Sequence, residues 1–140
     1  ADNAMGKNKS INYDWIPFIC FTRPEIATVG CYSEQAHHKG FRGVEGCVQS
    51  KELDFSFLGD FKEGIFKIVA DVRSGIVIGG QIVSPNASQL IPLVLLAIKK
   101  GMKVGALLSL ASDKSSEVEG IKEAARLCSK SIKANIKASR

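Results

Sequence analysis

Apolar positions recur with two different periods along this chain, and the change from one to the other falls near residue 84. Before it, short apolar runs alternate as β-strands do. Residues 18–21 and 25–29 read as strand, broken at Arg23-Pro24, because proline has no ladder donor and restrains the residue before it. Ser33 is the expected N-cap of a short helix, with Glu34 and Gln35 in its first turn and Gly40 as a left-handed C-terminal cap. Residues 44–49 and 53–57 are expected strands, the second setting Leu53, Phe55 and Phe57 on one face and Asp54 and Ser56 on the other. Residues 65–72 and 76–83 are stronger strands, joined at Arg73-Ser74-Gly75 as a hairpin in which Gly75 takes positive φ at little cost.

After residue 84 the period lengthens to that of helix. Ser84-Pro85-Asn86 supplies start chemistry for a helix to about Lys100, ended by Gly101, and Pro92 predicts a kink or a late start. A short turn of helix is expected within 104–110. Val118, Ile121, Ala125, Cys128 and Ile132 recur at three- and four-residue spacing, which predicts a helix with one apolar face that must be covered. Strands first and helices last indicate an α+β domain: an antiparallel sheet of four to five strands with helices packed on one face.

Composition narrows the class. A chain of 140 residues with 45% hydrophobic content fits one domain with a real core and is too apolar for disorder. The longest apolar run, residues 90–98, contains Pro92 and precedes Lys99 and Lys100, well short of the roughly 20 residues a bilayer span needs. No membrane partner is expected. Residues 1–14 read as a polar segment, partly of cloning or processing origin, without the apolar stretch of a signal peptide. Residues 15–140 read as the single domain.

Cys20, Cys31, Cys47 and Cys128 lack any Cys-x-x-Cys spacing or a nearby histidine that completes a metal set. Four reduced, mostly buried thiols in a cytoplasmic protein are expected, with a disulfide or zinc site as the alternative. His37 and His38 are neighbours, and on a helix they would point about 100° apart, away from any shared ligand. The net charge is +5. Most of it falls in 114–140, where seven basic residues face Glu117, Glu119 and Glu123. Those lysines are dispersed and lack interleaved aromatics, so a nucleic-acid partner is not expected and a basic-helix binding protein stays a minor alternative.

Several segments together carry a family resemblance. Ile16-Pro17-Phe18-Ile19-Cys20-Phe21-Thr22-Arg23-Pro24-Glu25-Ile26-Ala27-Thr28-Val29-Gly30, then Ser33-Glu34-Gln35-Ala36, then Gly79-Gly80-Gln81-Ile82-Val83-Ser84-Pro85-Asn86-Ala87 leading into Gln89-Leu90-Ile91, occur in this order. They resemble the C-terminal dimerisation domain of the flavin-dependent pyridine nucleotide-disulfide oxidoreductases, among them dihydrolipoamide dehydrogenase, glutathione reductase and mercuric reductase. The resemblance implies a fragment of a larger flavoenzyme, with FAD- and NAD(P)-binding domains upstream. No Gly-x-Gly-x-x-Gly turn is present here to cradle a pyrophosphate. FAD and NAD(P) are therefore expected in the full-length enzyme, and none bound tightly to this chain, which alone should be inactive.

In such enzymes the domain makes the two-fold homodimer and lends a His and a Glu, from a His-Pro-x-x-x-Glu segment, to the partner chain's flavin and cysteine pair. The His serves as general acid/base and the Glu orients it. Matching Lys122-Glu123-Ala124-Ala125 to the helix after that segment places Glu119 at the Glu, Lys114 at the His and Ser115 at the Pro. Lys114 and Ser115 are thereby expected near the partner's FAD. A lysine is a poor base at neutral pH unless burial changes it. Glu119 also fits a capping box with Ser116, as N3 reaching back to its cap. The two-fold contact is expected to use Leu90, Leu93, Val94, Leu107 and Leu108. Within the family the chain reads as most like dihydrolipoamide dehydrogenase. Ala36-His37-His38-Lys39-Gly40 and Val118-Glu119-Gly120-Ile121-Lys122 look most like mercuric reductases, but the chain ends without the cysteine pair expected of one. An interaction-only paralogue that has lost the catalytic His is the other alternative.

Overall fold

The structure, a computed structural model, describes residues 3–6, 16–57 and 63–138. Its centre is an antiparallel sheet of β1 (Phe18–Cys20), β2 (Glu25–Gly30), β3 (Gly43–Gln49), β4 (Ile65–Asp71) and β5 (Val77–Ser84), in the order β1-β2-β5-β4-β3. The hairpin between β4 and β5 forms as its sequence requires. Asp71 at the end of β4 accepts hydrogen bonds from the Ser74 amide at 3.1 Å and hydroxyl at 2.8 Å, and Gly75 closes the turn at φ 71°.

The helices α1 (Ala87–Lys99), α2 (Val104–Leu107) and α3 (Val118–Ala138) follow the strands. Register shows that α1 and α3 share one face. Val29, Gly80, Ile68 and Gly46 are directly opposite one another across β2, β5, β4 and β3, so their side positions point the same way. At Gly80 that direction meets Val94 of α1, and at Gly46 it meets the backbone of Ala124 and Cys128 in α3. A side chain at Gly46 would occupy the space of α3 itself. The layer between is filled by Phe66, Ile68, Ile82, Ile91 and Ile121, all but shut from solvent. Each such side chain contributes about 1.5–3 kcal/mol of burial.

The stripe expected on the last helix is the one that packs: Ile121, Ala125 and Cys128 are buried, with Gly120 and Ala124 beside them. α1 starts at Ala87 and runs through Pro92 without a late start. Its cap comes from elsewhere in the fold. Asn86 makes no side-chain cap bond, and the Glu25 carboxylate on β2 accepts the Ser88 amide at 2.9 Å. Asn86 instead donates to Glu117 at 2.7 Å.

Two local expectations are corrected. Residues 53–57 are not a strand: the chain forms 3-10 turns at Ser50–Glu52 and Asp54–Phe57. Glu52 reaches back to the Gln49 amide at 3.1 Å, the Leu53 amide donates to the Ser50 carbonyl, and the Ser56 amide and hydroxyl both donate to the Leu53 carbonyl. These local bonds take groups that a ladder would need. Phe55 is buried all the same, edge-on to Phe66 at 6.0 Å. Nor does Ser33 cap the short 3-10 helix Ala36–Lys39; its hydroxyl donates to Glu45. Gly40 does end that turn in the left-handed region, at φ 78°.

Candidate functional site

The first turn of α3 carries Glu119, and the segment before it folds back over that turn. Glu119 Oε1 accepts a hydrogen bond from Lys122 Nζ at 2.6 Å and another from the Ser112 hydroxyl. Lys122 Nζ also reaches Ser112 Oγ at 3.2 Å, closing a three-membered cluster. The Lys122 ammonium first, and then the Ser112 hydroxyl, hold the Glu119 carboxyl below the usual carboxylate range. Glu119 is thus an anion whose oxygen is already engaged, a group that orients others and does not itself take up protons near neutrality.

The capping-box reading of Glu119 is half right. Ser116 Oγ accepts the Val118 amide at 3.2 Å, as a cap does. The Ser116 amide, however, donates to the Asp113 carbonyl at 2.9 Å, so it is not offered to Glu119. The carboxylate ties Ser112 to α3 instead.

Lys114 and Ser115 lie exposed on the segment between Ser112 and α3. Asp113 Oδ1 accepts the Ser115 amide at 3.1 Å, and this bond, with the Ser115 hydroxyl and then the Lys114 amide, holds the Asp113 carboxyl below its ordinary range. Lys114 and Glu119 line one cavity of about 300 Å³, whereas Ser115 does not. Val48, Leu53 and Leu127 give this cavity apolar lining, and Glu52, Asp54, Glu123 and Arg126 complete its charged lining. Arg126 is held by Glu123 one helical turn away. Among the described residues no group of three His, Cys, Asp or Glu side chains could hold a metal.

Sequence reasoning missed Ser112, Lys122, Glu52 and Asp54. The spacing of Glu119 and Lys122 was a readable signal, since residues three apart on a helix are neighbours. Glu52 and Asp54 were hidden by the strand expected at 53–57. The aliphatics expected at a two-fold contact also need correction. Leu90, Val94 and Leu107 are buried in this chain's own core, and Leu93 packs partly against it. Leu96, 52% exposed, and Leu108, 36% exposed, are the large aliphatics left facing outward from this region.

Residues 16–112 match the family model described as pyridine nucleotide-disulphide oxidoreductase, dimerisation domain. The chain belongs to that family. A mercuric reductase of Lysinibacillus sphaericus is 36% identical over 94% of this dimerisation domain and 24% of the relative's length. A dihydrolipoyl dehydrogenase of Haloferax volcanii is 32% identical over 89% of the domain and 26% of the relative. The crystal structure of LpdA from Mycobacterium tuberculosis superposes with a TM-score of 0.78 at 28% identity, covering 89% of this chain and 28% of that one. The chain thus spans about a quarter of the length of such relatives. The α+β class and the five-stranded antiparallel sheet agree with the sequence reading. Among the described residues no helix is long and apolar enough to cross a membrane.

Proposed function

We propose that this dimerisation domain serves a cytoplasmic, FAD-dependent disulfide oxidoreductase of the dihydrolipoamide dehydrogenase type, as a homodimer in which it completes the partner chain's active site. The observation that carries the reading is the family match over 16–112 together with the fold shared with LpdA. The described residues offer no glycine-rich cradle for a pyrophosphate, so FAD and NAD(P) would be held by the upstream domains of the same polypeptide. FAD would supply the electron transfer between nicotinamide and disulfide. This chain's own contribution is positional: Glu119 fixes Lys122 and Ser112, and Lys114 brings a positive charge to the cavity it shares with Glu119. A cation there favours a thiolate over a thiol in the group it faces.

A second reading is supported by the 36% identity to a mercuric reductase. The two are separated by assaying the full-length protein for NAD(P)H oxidation with lipoamide and with Hg(II). Turnover of lipoamide supports the first reading, turnover of Hg(II) alone supports the second, and a flavin-free protein inactive with both would overturn them together. Lys114→His supplies the acid/base residue that the family resemblance implies. An increase in disulfide turnover is expected if this position faces the partner's site, and unchanged kinetics would place Lys114 outside it. For the dimer, the outward leucine of α1 is the expected two-fold contact, and Leu96→Glu should give a monomer in sedimentation.

A further inference from the structure

Charge is sorted toward opposite ends of the sheet. At one end lie Glu25 where β2 starts, Glu52 and Asp54 after β3, Glu63 before β4, and the carboxylates of 113–123 leading into α3. The β4–β5 turn marks the other end, where Gly43 pairs with Asp71 and the Ile76–Lys103 bridge ties the α1–α2 junction to the hairpin. Lys100 and Lys103 stand exposed on that junction. α3 runs toward the same end: Ala124 meets β3 at Gly46, and the Cys128 thiol donates to the Val44 carbonyl at 3.6 Å, one residue from the start of the strand. From Cys128 to Ala138 the helix still rises about 15 Å, so its last turns overhang β3. Lys130, Lys133 and Lys137 recur there on one helix face, all exposed, in the register that Lys122 and Arg126 begin.

Glu119 and Glu123 hold Lys122 and Arg126, but no acidic residue occurs between Glu123 and Arg140. Among the described residues no carboxylate meets the ammonium of Lys100, Lys103, Lys130, Lys133 or Lys137. Those nearest are engaged or screened. Asp71 binds Ser74, Arg73 and the Arg42 amide, and Glu45 binds Lys67 and Ser33. Glu34 lies across the sheet, on the segment after β2 that covers a small core of Cys31, Ala36, Val69 and Ile78. The apolar stripe of α3 also outruns its cover: Ile136, one turn past Ile132, is 44% exposed among the lysines.

We propose that this basic end, made by the overhanging turns of α3 and the α1–α2 junction, is a docking surface for an acidic segment of a partner protein. Its carboxylates would meet the lysines around an apolar contact at Ile136, as an interface with an apolar centre and a charged rim does. A second copy does not fit, since a two-fold contact would set the same lysines against themselves. A polynucleotide is disfavoured by residue type: α3 has no aromatic side chain to stack a base, and its one arginine is held by Glu123. An anionic membrane calls for a whole apolar helix face, and that of α3 packs on the core as far as Ile132. The oxidoreductase reading above turns the opposite end, with Lys114 and Glu119, toward the second copy, which leaves the basic end outward.

The test uses the full-length protein and a fluorescent amphipathic peptide with glutamates and leucines at helical spacing, read by anisotropy at low and at physiological salt. The peptide should bind, and salt should weaken it. Lys130→Glu, Lys133→Glu and Lys137→Glu combined should lower the affinity by about tenfold or more. Ile136→Ser should lower it by about fivefold. The corresponding triple change to Gln, a good helix former, gives the same direction should the Glu variant fold poorly. Wild-type protein that ignores the peptide at low salt, or binding that the lysine variants leave intact, would overturn the proposal. So would duplex DNA or phosphatidylserine vesicles held more tightly than the peptide at physiological salt. Flavin content and NAD(P)H oxidation on the same samples separate the two readings. An active flavoprotein blind to the peptide overturns this proposal alone, and a flavin-free protein that binds it through the α3 lysines overturns the oxidoreductase reading alone.

Discussion

Glu119 shows how much one side chain can hold in a partly exposed position. Its carboxylate binds Lys122 and Ser112 at once, with side-chain exposure of 24% for Glu119 and 17% for Lys122. Glu119→Gln removes the charge opposite Lys122 and should cost about 1 kcal/mol at neutral pH, read from urea unfolding. The folded carboxyl titrates below its unfolded range, so its contribution is present above the ordinary carboxylate range and is lost as pH falls through the depressed folded value. The gap between variant and wild type should therefore close in acid, and a gap that persists there would mean that packing, not charge, is the cause. Asp71 is the more buried case, 4% exposed. Burial pushes its carboxyl up, but the Arg42 amide at 2.8 Å, both Ser74 groups and the Arg73 charge together bring it below its usual range. Asp71→Ala would strand those donors and should cost about 2–3 kcal/mol in the same measurement. Nothing in the sequence marked Asp71, because its partner Arg42 is 29 residues away and meets it only once β3 and β4 have paired.

At the scale of elements, legibility followed the reach of the interactions involved. α3 could be read because an apolar stripe at helical spacing is a local pattern, and the β4–β5 hairpin because Gly75 and the flanking alternation are local too. The segment 50–57 could not. Alternating Leu53, Phe55 and Phe57 satisfy a strand pattern, yet bonds from Glu52 and Ser56 to the nearby backbone turn the chain instead. The Glu25 cap of α1 was hidden for the opposite reason, as it joins residues 63 apart. The cavity holding Lys114 and Glu119 combines both kinds. Its α3 wall could be placed from the family resemblance, while its Glu52 and Asp54 wall depended on the misread turns. Where α3 crosses β3 the fit is set by Gly46, whose missing side chain is the space taken by the Ala124 carbonyl and the Cys128 amide. Backbone atoms in a helix cannot swing aside as a flexible side chain can. Gly46→Ala should then destabilise the fold by about 3 kcal/mol, the upper end of overpacking costs. A loss under about 1 kcal/mol in urea unfolding would show that α3 can lift off β3 locally.

Across the whole molecule the sheet divides two cores of unequal size, and the cysteines sample both. Cys128 sits in the large core between sheet and helices, together with Phe66, Ile82 and Ile121, while Cys31 belongs to the four-residue cluster on the far side. Cys47 is exposed on β3 and Cys20 is half-buried on β1. In native protein an aromatic disulfide reagent should modify Cys47 first and Cys20 next; Cys47 is exposed as a residue, but neighbouring atoms partly desolvate its sulfur and raise the thiol, which favours alkaline conditions. The two buried thiols should then part company. Exposing Cys31 requires only that the segment after β2 lift from Val69 and Ile78, a small local opening. Exposing Cys128 requires α3 to leave the sheet, which dismantles the large core and amounts to global unfolding. Burial also pushes the Cys128 thiol up to about 11, so its attack is slow even when the helix frays. Modification rates followed in increasing urea should show a shallow dependence for Cys31 and a steep one for Cys128, with the Cys128 opening energy equal to the global unfolding free energy. Equal slopes would mean that the small cluster and the large core open as one unit, joined through the sheet that both of them cover.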